Sequence, residues 1–431
     1  MIKVGLISLG CAKNLIDSEM ILAMFDKERF TLSNQMEGND LLIVNTCAFI
    51  EAAKQESIQT IFEAARTGAK VAVVGCLAER YEKELKAELP EADLIVPIHD
   101  YDELAEYLKK LVQEEDGISP IHPLKRVIST PKYAAYLRIS EGCDNFCAFC
   151  AIPYIRGRFV SRPYEEILEE ARLLKERGVK EISIVSQDTA NYGKDFSNGK
   201  PNFLDLIKAL EEMDFYSIRL LYLYPDEISD ELIQVIAKST SIKHYFDIPI
   251  QCASDHLLKR MNRHGSKKDM EILFEKIKAM CPDAVLRTTL ISGFPGEDEE
   301  DQKETIEFLN QVQFDHLGVF TYSREEGTAA YSYPDQVPEE IKNQRRDEIM
   351  KLQQGISYKK NKARVGQIME GIVIGSNPNT NTYTIRTSWN APDDIDGAFF
   401  FESKKRLEIG QIVKVEVTGA FSYDLRGRLL D

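Results

Sequence analysis

The stretch Glu141-Gly142-Cys143-Asp144-Asn145-Phe146-Cys147-Ala148-Phe149-Cys150 carries three thiols at spacings of four and three residues. It follows a strand-like run, 136–140, so the thiols lie on a loop at a strand end. Three thiolates on one loop can grip a single soft metal centre. Structural zinc takes four Cys or His ligands, and the nearest histidines, His122 and His244, stand well outside the loop. A cubane iron–sulfur cluster can be held by three cysteines, because its fourth iron can stay open to another ligand. The spacing points to such a cluster. A zinc site completed from elsewhere in the chain is the alternative.

Outward from this loop the chain alternates strands and helices. Strand-like runs fall at 136–140, 181–186, 217–223, 245–250, 285–291 and 317–321. Amphipathic helices read at 164–177 and 268–280. Six βα repeats fall short of the eight in a closed barrel, so a partial (β/α)6 barrel is expected, with an open six-stranded sheet as the alternative. Ser186-Gln187-Asp188 and Gly293-Phe294-Pro295-Gly296-Glu297 follow strands at the edge where such barrels contact ligands. A long charged helix reads from Pro338, placed in its first turn, to Ala363.

The N-terminal part has strand-like runs at 3–8, 40–45 and 70–74, alternating with helical patterns at 17–25, 52–66, 79–87 and 102–115. This pattern predicts an open parallel α/β sheet. Cys11, Cys47 and Cys76 each directly follow one of those strands. The carboxyl ends of parallel strands share one edge, so three thiols there can converge on a second metal centre. Gly10 and Gly75, each just before its cysteine, would let backbone approach a bulky group. Ordinary buried cysteine is the alternative. Cys252 and Cys281 have no partners at metal-ligand spacing and read as structural. The stretch 116–131 contains Gly117, Pro120, Pro123 and Pro131, lacks periodicity, and reads as a linker. Beyond residue 361, strand-like runs at 368–374, 382–387, 397–401 and 413–420, with a turn-rich 375–381, predict a small β-barrel of oligonucleotide-binding size. The expected units are 1–115, a linker 116–131, a core 132–337, a connecting helix 338–361 and a barrel 362–431.

The 431 residues include 54 Lys or Arg against 70 Asp or Glu, a net charge of −16. Such an acid balance excludes a general polyanion binder. No apolar run approaches the roughly eighteen residues of a membrane span. The N-terminal strand has no signal pattern ahead of it, and a cytoplasmic location is expected. Eight cysteines are too few for a disulfide scaffold at this length.

Cys-x3-Cys-x2-Cys with an aromatic before its last cysteine resembles the signature of the radical S-adenosylmethionine superfamily, whose core is a partial βα barrel. The resemblance implies that Cys143, Cys147 and Cys150 hold a 4Fe-4S cluster whose open iron is chelated by S-adenosyl-L-methionine. Electron injection would then release a deoxyadenosyl radical. It also implies Phe149 against the adenine, with ordinary packing as the other reading, and Gln187, Gly293 and Glu297 at the cofactor pocket. Two three-cysteine sets with a small barrel behind them resemble the methylthiotransferase family, which inserts a methylthio group at an unactivated C–H bond. That implies a second 4Fe-4S cluster on Cys11, Cys47 and Cys76 as sulfur carrier, an electron donor, and a TRAM-like final barrel serving recognition.

The family has branches acting on transfer-RNA adenosine and one acting on an aspartate of a small-subunit ribosomal protein. The final unit, 362–431, has nine Lys or Arg and nine Asp or Glu, whereas strong RNA binding favours positive excess. A neutral barrel suits a basic protein partner better, although Lys404-Lys405-Arg406 is a candidate basic face. Ser8-Leu9-Gly10-Cys11-Ala12-Lys13-Asn14 through Asp17-Ser18-Glu19, Asn45-Thr46-Cys47-Ala48-Phe49-Ile50 and Gly157-Arg158-Phe159-Val160-Ser161-Arg162-Pro163 resemble the ribosomal-protein branch. A transfer-RNA methylthiotransferase is the runner-up. An iron–sulfur electron carrier without cofactor cleavage and a zinc-dependent nucleic-acid module are the readings from other classes.

Overall fold

Short apolar runs build the N-terminal sheet: Ile2–Ser8 (β1), Phe30–Ser33 (β2), Leu41–Thr46 (β3), Lys70–Gly75 (β4) and Leu94–Val96 (β5). All pair in parallel, in the order β2-β1-β3-β4-β5. β3 and β4 are buried on both faces, as central strands of a parallel sheet must be. β2 and β5 escape sequence reading because four and three residues carry no periodicity. The computed structural model describes residues 1–393 and 395–430. Residues 394 and 431, which the expected C-terminal unit includes, lie outside the described residues.

The first helix, α1, spans Ala12–Leu22 and not 17–25. Its early turns carry Lys13, Asn14, Asp17, Ser18 and Glu19, all of them buried. The helix expected at 79–87 breaks at Tyr81 into Cys76–Arg80 and Glu82–Glu88. Nor is 116–131 a free tether. Ile118 bridges to Phe25, and buried Arg126 lies between Glu19 of α1 and Glu170 of the helix Tyr164–Glu176.

The core contributes Ala134–Arg138 (β6), a small hairpin of Ser140–Glu141 (β7) with Val160–Ser161 (β8), then Glu181–Val185 (β9), Ser217–Leu220 (β10), Tyr245–Asp247 (β11), Val285–Ser292 (β12) and His316–Thr321 (β13). Two parallel triplets, β6-β9-β10 and β11-β12-β13, meet through backbone bonds around Ile218, from Ile218 N to Ser241 O (2.8 Å) and from Lys243 N to Ile218 O (2.9 Å). The result is a six-stranded partial barrel. β10 and β11 stop short of 223 and 250, and Tyr222 and Gln251 beyond them take left-handed backbone (φ 61 and 70).

Alternation along these strands sorts their side chains. Ile182, Ile184, Ile218, Leu220, Phe246 and Leu286 join the apolar core. Tyr136, Val185, Leu221, Tyr245 and Val285 form a separate cluster with Ile16 and Met20 of α1 and Ala391 from the C-terminal region. The first helix and a C-terminal loop therefore both pack against these barrel strands.

That loop belongs to a closed five-stranded barrel of Ile368–Asn377 (β14), Thr382–Arg386 (β15), Phe399–Glu402 (β16), Ile412–Ala420 (β17) and Leu425–Leu429 (β18), ordered β14-β15-β16-β18-β17. β18 was not expected, because its arginines and glycine mask the alternation. The helix leading in runs Glu339–Ala363, with Pro338 at its N-cap and not inside its first turn, and it overruns residue 361. β15 and the stretch after it are anchored to the core by charge. Glu181 pairs with Arg386 (2.6 Å) and Arg219 (3.2 Å); Asp396 accepts from Tyr245 Oη (2.5 Å) and Arg287 Nε (3.2 Å). His316 Nε2 meets Trp389 O at 2.7 Å. The barrel is thus tied to the core by buried charge, and removing it would leave Glu181, Arg219 and Arg287 short of partners.

Asp396→Ala should therefore cost about 3 kcal/mol of unfolding free energy by urea titration, as expected when one partner of a buried ion pair is removed. Glu402→Ala, which breaks an exposed pair with Arg426 (3.1 Å), should change stability by less than about 1 kcal/mol.

Candidate functional site

The first three thiols stand where the parallel topology puts them. Cys11 caps α1, Cys47 follows β3, and Cys76 opens the helix after β4. A Cβ on Gly10 (φ 87) would lie 2.8 Å from Cys47 Cβ and 2.9 Å from its Sγ, so the turn before Cys11 rests directly on Cys47. A Cβ on Gly75 (φ 92) would meet Asn45 Oδ1 at 2.2 Å. Asn14 ties the turns together. Its Nδ2 donates to Leu9 O (3.0 Å) and Thr46 O (2.8 Å), and its Oδ1 accepts from Cys76 Sγ (3.4 Å).

Burial pushes the Cys76 thiol up to about 12 and raises Cys47, and the neighbouring thiols push both further. At exposed Cys11 desolvation also opposes ionisation, but Lys13, the Asn14 N–H and Arg156 outweigh it and hold the thiol below 9.0. A set with one thiolate-prone member and two suppressed ones suits a site completed by a cation or cluster.

The second triad rides on a loop with two enforced turns. A Cβ on Gly142 (φ 74) would strike Arg158 O at 2.1 Å, and Phe146 holds φ 45. Cys143 N donates to Gly157 O (3.2 Å), Ala148 N to Met261 O (2.8 Å), and Asn262 Nδ2 to Phe146 O (3.0 Å). Asn145 Nδ2 donates to Cys143 Sγ (3.4 Å) and Asp188 Oδ2 (2.8 Å). Cys147 Sγ lies 3.9 Å from both Tyr224 Oη and an Arg263 nitrogen. Burial pushes Cys143 up to about 11 and Cys150 up to about 12.

The residues expected around a cofactor divide by their engagement. Gln187 donates to Glu141 and leaves Oε1 buried without a partner, as Asp188 does with Oδ1. Burial raises the Asp188 carboxyl to about 6. These free acceptors adjoin the second triad. Glu297 is committed elsewhere: one oxygen accepts from Gly293 N and Phe294 N, the other sits 3.4 Å from Arg345. Gly293 (φ 74) backs on Lys342, so no side chain fits there. Phe149 is half-buried and packs edge-on to Phe294, with centroids 6.4 Å apart.

Two chains of contacts link the triads. Arg156, six residues beyond Cys150, donates to Cys76 Sγ (3.4 Å) and to Asn14 Oδ1 (2.5 Å). Lys13, two residues beyond Cys11, lies 3.7 Å over the Tyr222 ring, and Tyr224 on the same loop touches Cys147. Asp17 locks the arrangement, with Oδ1 on Arg138 (2.6 Å) and Oδ2 on Arg156 (2.7 Å). Spacing reasoning missed Asp17, Arg138, Arg156, Tyr222, Tyr224 and Arg263. One signal was available: Asn14, Asp17 and Ser18, at i, i+3 and i+4, form a polar stripe where a packed helix face should be apolar.

Cys281 is not partnerless. Its Sγ lies 3.6 Å from Asp283, which also meets His244 Nδ1 at 2.8 Å, at the amino-terminal ends of β11 and β12. Cys252 is a buried core residue.

Family models match three segments: uncharacterized protein family UPF0004 over 3–97, the radical SAM superfamily over 137–309, and the TRAM domain over 365–430. Curated relatives include the ribosomal protein uS12 methylthiotransferases RimO of Clostridioides difficile (44% identical, covering 100% of this chain and 99% of the relative) and Pelotomaculum thermopropionicum (46%, 99% of each). The chain belongs to the RimO methylthiotransferase family. RimO of Aquifex aeolicus is 44% identical over 99% of this chain and 97% of its own. Among solved structures, the radical S-adenosylmethionine methyltransferase TsrM from Kitasatospora setae shares the fold, with TM-score 0.53 at 13% identity over 74% of this chain and 73% of that one. Membership implies S-adenosylmethionine and a 4Fe-4S cluster as cofactors. No helix among the described residues is long and apolar enough to cross a membrane.

Burial would raise the Asp17 carboxyl, but Arg156 and Arg138 outweigh it and hold the group below 3.8. Its stabilisation is therefore present above the unfolded value and disappears as pH falls below about 4. Asp17→Asn should lose about 3 kcal/mol at neutral pH. Its urea midpoint should also fall less than that of the parent between about pH 5 and pH 3.

Proposed function

We propose that this chain inserts a methylthio group at an unactivated C–H bond of an aspartate in ribosomal protein uS12. The observation that carries the reading is the linkage of two separate cysteine triads through Arg156 and through Lys13 with the Tyr222–Tyr224 loop, in a chain related over its whole length to uS12 methylthiotransferases. The curated relatives favour this reading over a transfer-RNA adenosine substrate. The neutral charge of the C-terminal barrel supports the same choice.

The residues fit the groups the reading requires. Each triad offers three sulfur donors and no fourth, which suits a cubane with one open iron. Cys143, Cys147 and Cys150 would hold the cluster that takes S-adenosylmethionine. The unpartnered Gln187 and Asp188 oxygens adjoin that loop and would accept from the amino and hydroxyl groups of the cofactor. Cys11, Cys47 and Cys76 would hold a second 4Fe-4S cluster, on the unit 1–115, at a site cradled by Gly10 and Gly75. When bound, these groups supply a hydrogen-abstracting radical and the sulfur to be transferred, after one-electron reduction by an external donor.

The protein's own part is placement. Arg263 stacks 4.0 Å over Tyr224 and supports the wall beside Cys147. Asp17, held by both arginines, keeps α1, and with it Cys11, against the barrel. A reactive carbon formed there would meet the sulfur site before solvent.

Anaerobic turnover tests the reading, offering reconstituted enzyme both uS12 and transfer RNA. A methylthio mass gain on a uS12 aspartate is expected, and a gain on RNA alone would refute it. The parent should carry about eight irons, two clusters of four. Folded Cys47→Ala should keep about four, still cleave S-adenosylmethionine, and form no methylthio product. Cys147→Ala should cleave none. Equal loss of cofactor cleavage in both variants would contradict the division of roles.

A further inference from the structure

Lys13 is a buried cation that meets no carboxylate at ion-pair distance among the described residues, with Cys11 and Glu141 acting on it only from farther off. It is 8% exposed, and the described residues give it no ion pair and no hydrogen bond, only the face of Tyr222 at 3.7 Å. The charges around it are matched. Arg138 and Arg156 face Asp17 and Glu141, with Arg138 at 2.6 Å and 2.8 Å from them and Arg156 at 2.7 Å and 3.6 Å. Two cations and two carboxylates leave the Lys13 ammonium without a carboxylate of its own. An ammonium that faces only a ring keeps its N–H donors free for an incoming anion.

Its position narrows the ligand. Lys13 lies two residues from Cys11 and reaches the ring of Tyr222, on the barrel loop whose Tyr224 touches Cys147. A group held there lies between the two sets of thiols. We propose that Lys13 binds the side-chain carboxylate of the substrate aspartate, an assignment that rests on the function proposed above. In an aspartate the carbon next to the carboxylate is the methylene carbon, so anchoring the carboxylate on Lys13 holds that C–H bond between the two centres. An ammonium adds little to recognition of a neutral adenine ring, whereas a carboxylate gains a charge-assisted hydrogen bond. Lys13 thus acts as a selector for an acidic side chain as well as an anchor.

Two other carboxylate or anionic sources compete for the same charge: the methionyl carboxylate of S-adenosylmethionine, and a cluster carried by Cys11. The test separates them. Reconstituted holoenzyme is titrated with a fluorescent uS12 peptide containing the modified aspartate and with its asparagine twin, for the parent, Lys13→Gln and Lys13→Arg. Iron content and S-adenosylmethionine affinity are measured on the same samples. The parent should favour the aspartate peptide by about tenfold or more, the scale of a hydrogen bond between charged groups. Lys13→Gln should bind both peptides alike with its iron retained, and Lys13→Arg should keep most of the preference.

An unchanged aspartate preference in Lys13→Gln overturns the proposal. If that variant instead loses iron or S-adenosylmethionine affinity while keeping the preference, the charge serves the cluster or the cofactor. If the parent neither binds nor modifies uS12, the substrate reading fails and the assignment falls with it.

Discussion

A single carboxylate, Asp17, is shared between Arg138 at the end of β6 and Arg156 just past the second cysteine loop. An ion triplet with this little solvent access is weak evidence for net stability, because desolvating three charges opposes their attraction. Its consequence is positional. Removing any member leaves an uncompensated charge inside, so α1 cannot lift from the barrel without a large penalty. Cys11 caps that helix, and Arg156 also reaches Cys76 and Asn14. The two triads are therefore set against each other by the element that carries one of them. Glu19, Arg126 and Glu170 repeat the device farther along the helix.

The architecture was legible in the sequence wherever burial follows a simple period. β3, β4, β12 and the helix at 164–176 stand within a residue or two of their expected limits. The cysteine sets were legible too, because strand ends share an edge and Cys-x3-Cys-x2-Cys is local. What stayed hidden depends on pairing across distance. The polar early turns of α1 give no sign of burial until the guanidinium groups from residues 126, 138 and 156 are placed opposite them. The 116–131 stretch reads as a tether for the same reason, since its Arg126 finds both carboxylates only in the folded chain.

The C-terminal barrel follows the same logic. Its strands could be read as a small separate module, yet its loop places Asp396 against Tyr245 and Arg287 inside the core. A chain that looks like three beads joined by linkers is instead one body whose seams are buried charge. Seams of this kind tolerate little drift, because each ion pair has a preferred geometry and a high cost when broken. That requirement suits chemistry in which a radical and a sulfur source must act within one cleft.

Pulsed electron paramagnetic resonance of the anaerobically reduced holoenzyme tests this arrangement most directly. Two clusters facing one cleft should show a dipolar interaction between their spins, lost in Cys47→Ala while the remaining centre keeps its own signal. A parent spectrum that is the plain sum of two non-interacting clusters would contradict the shared cleft.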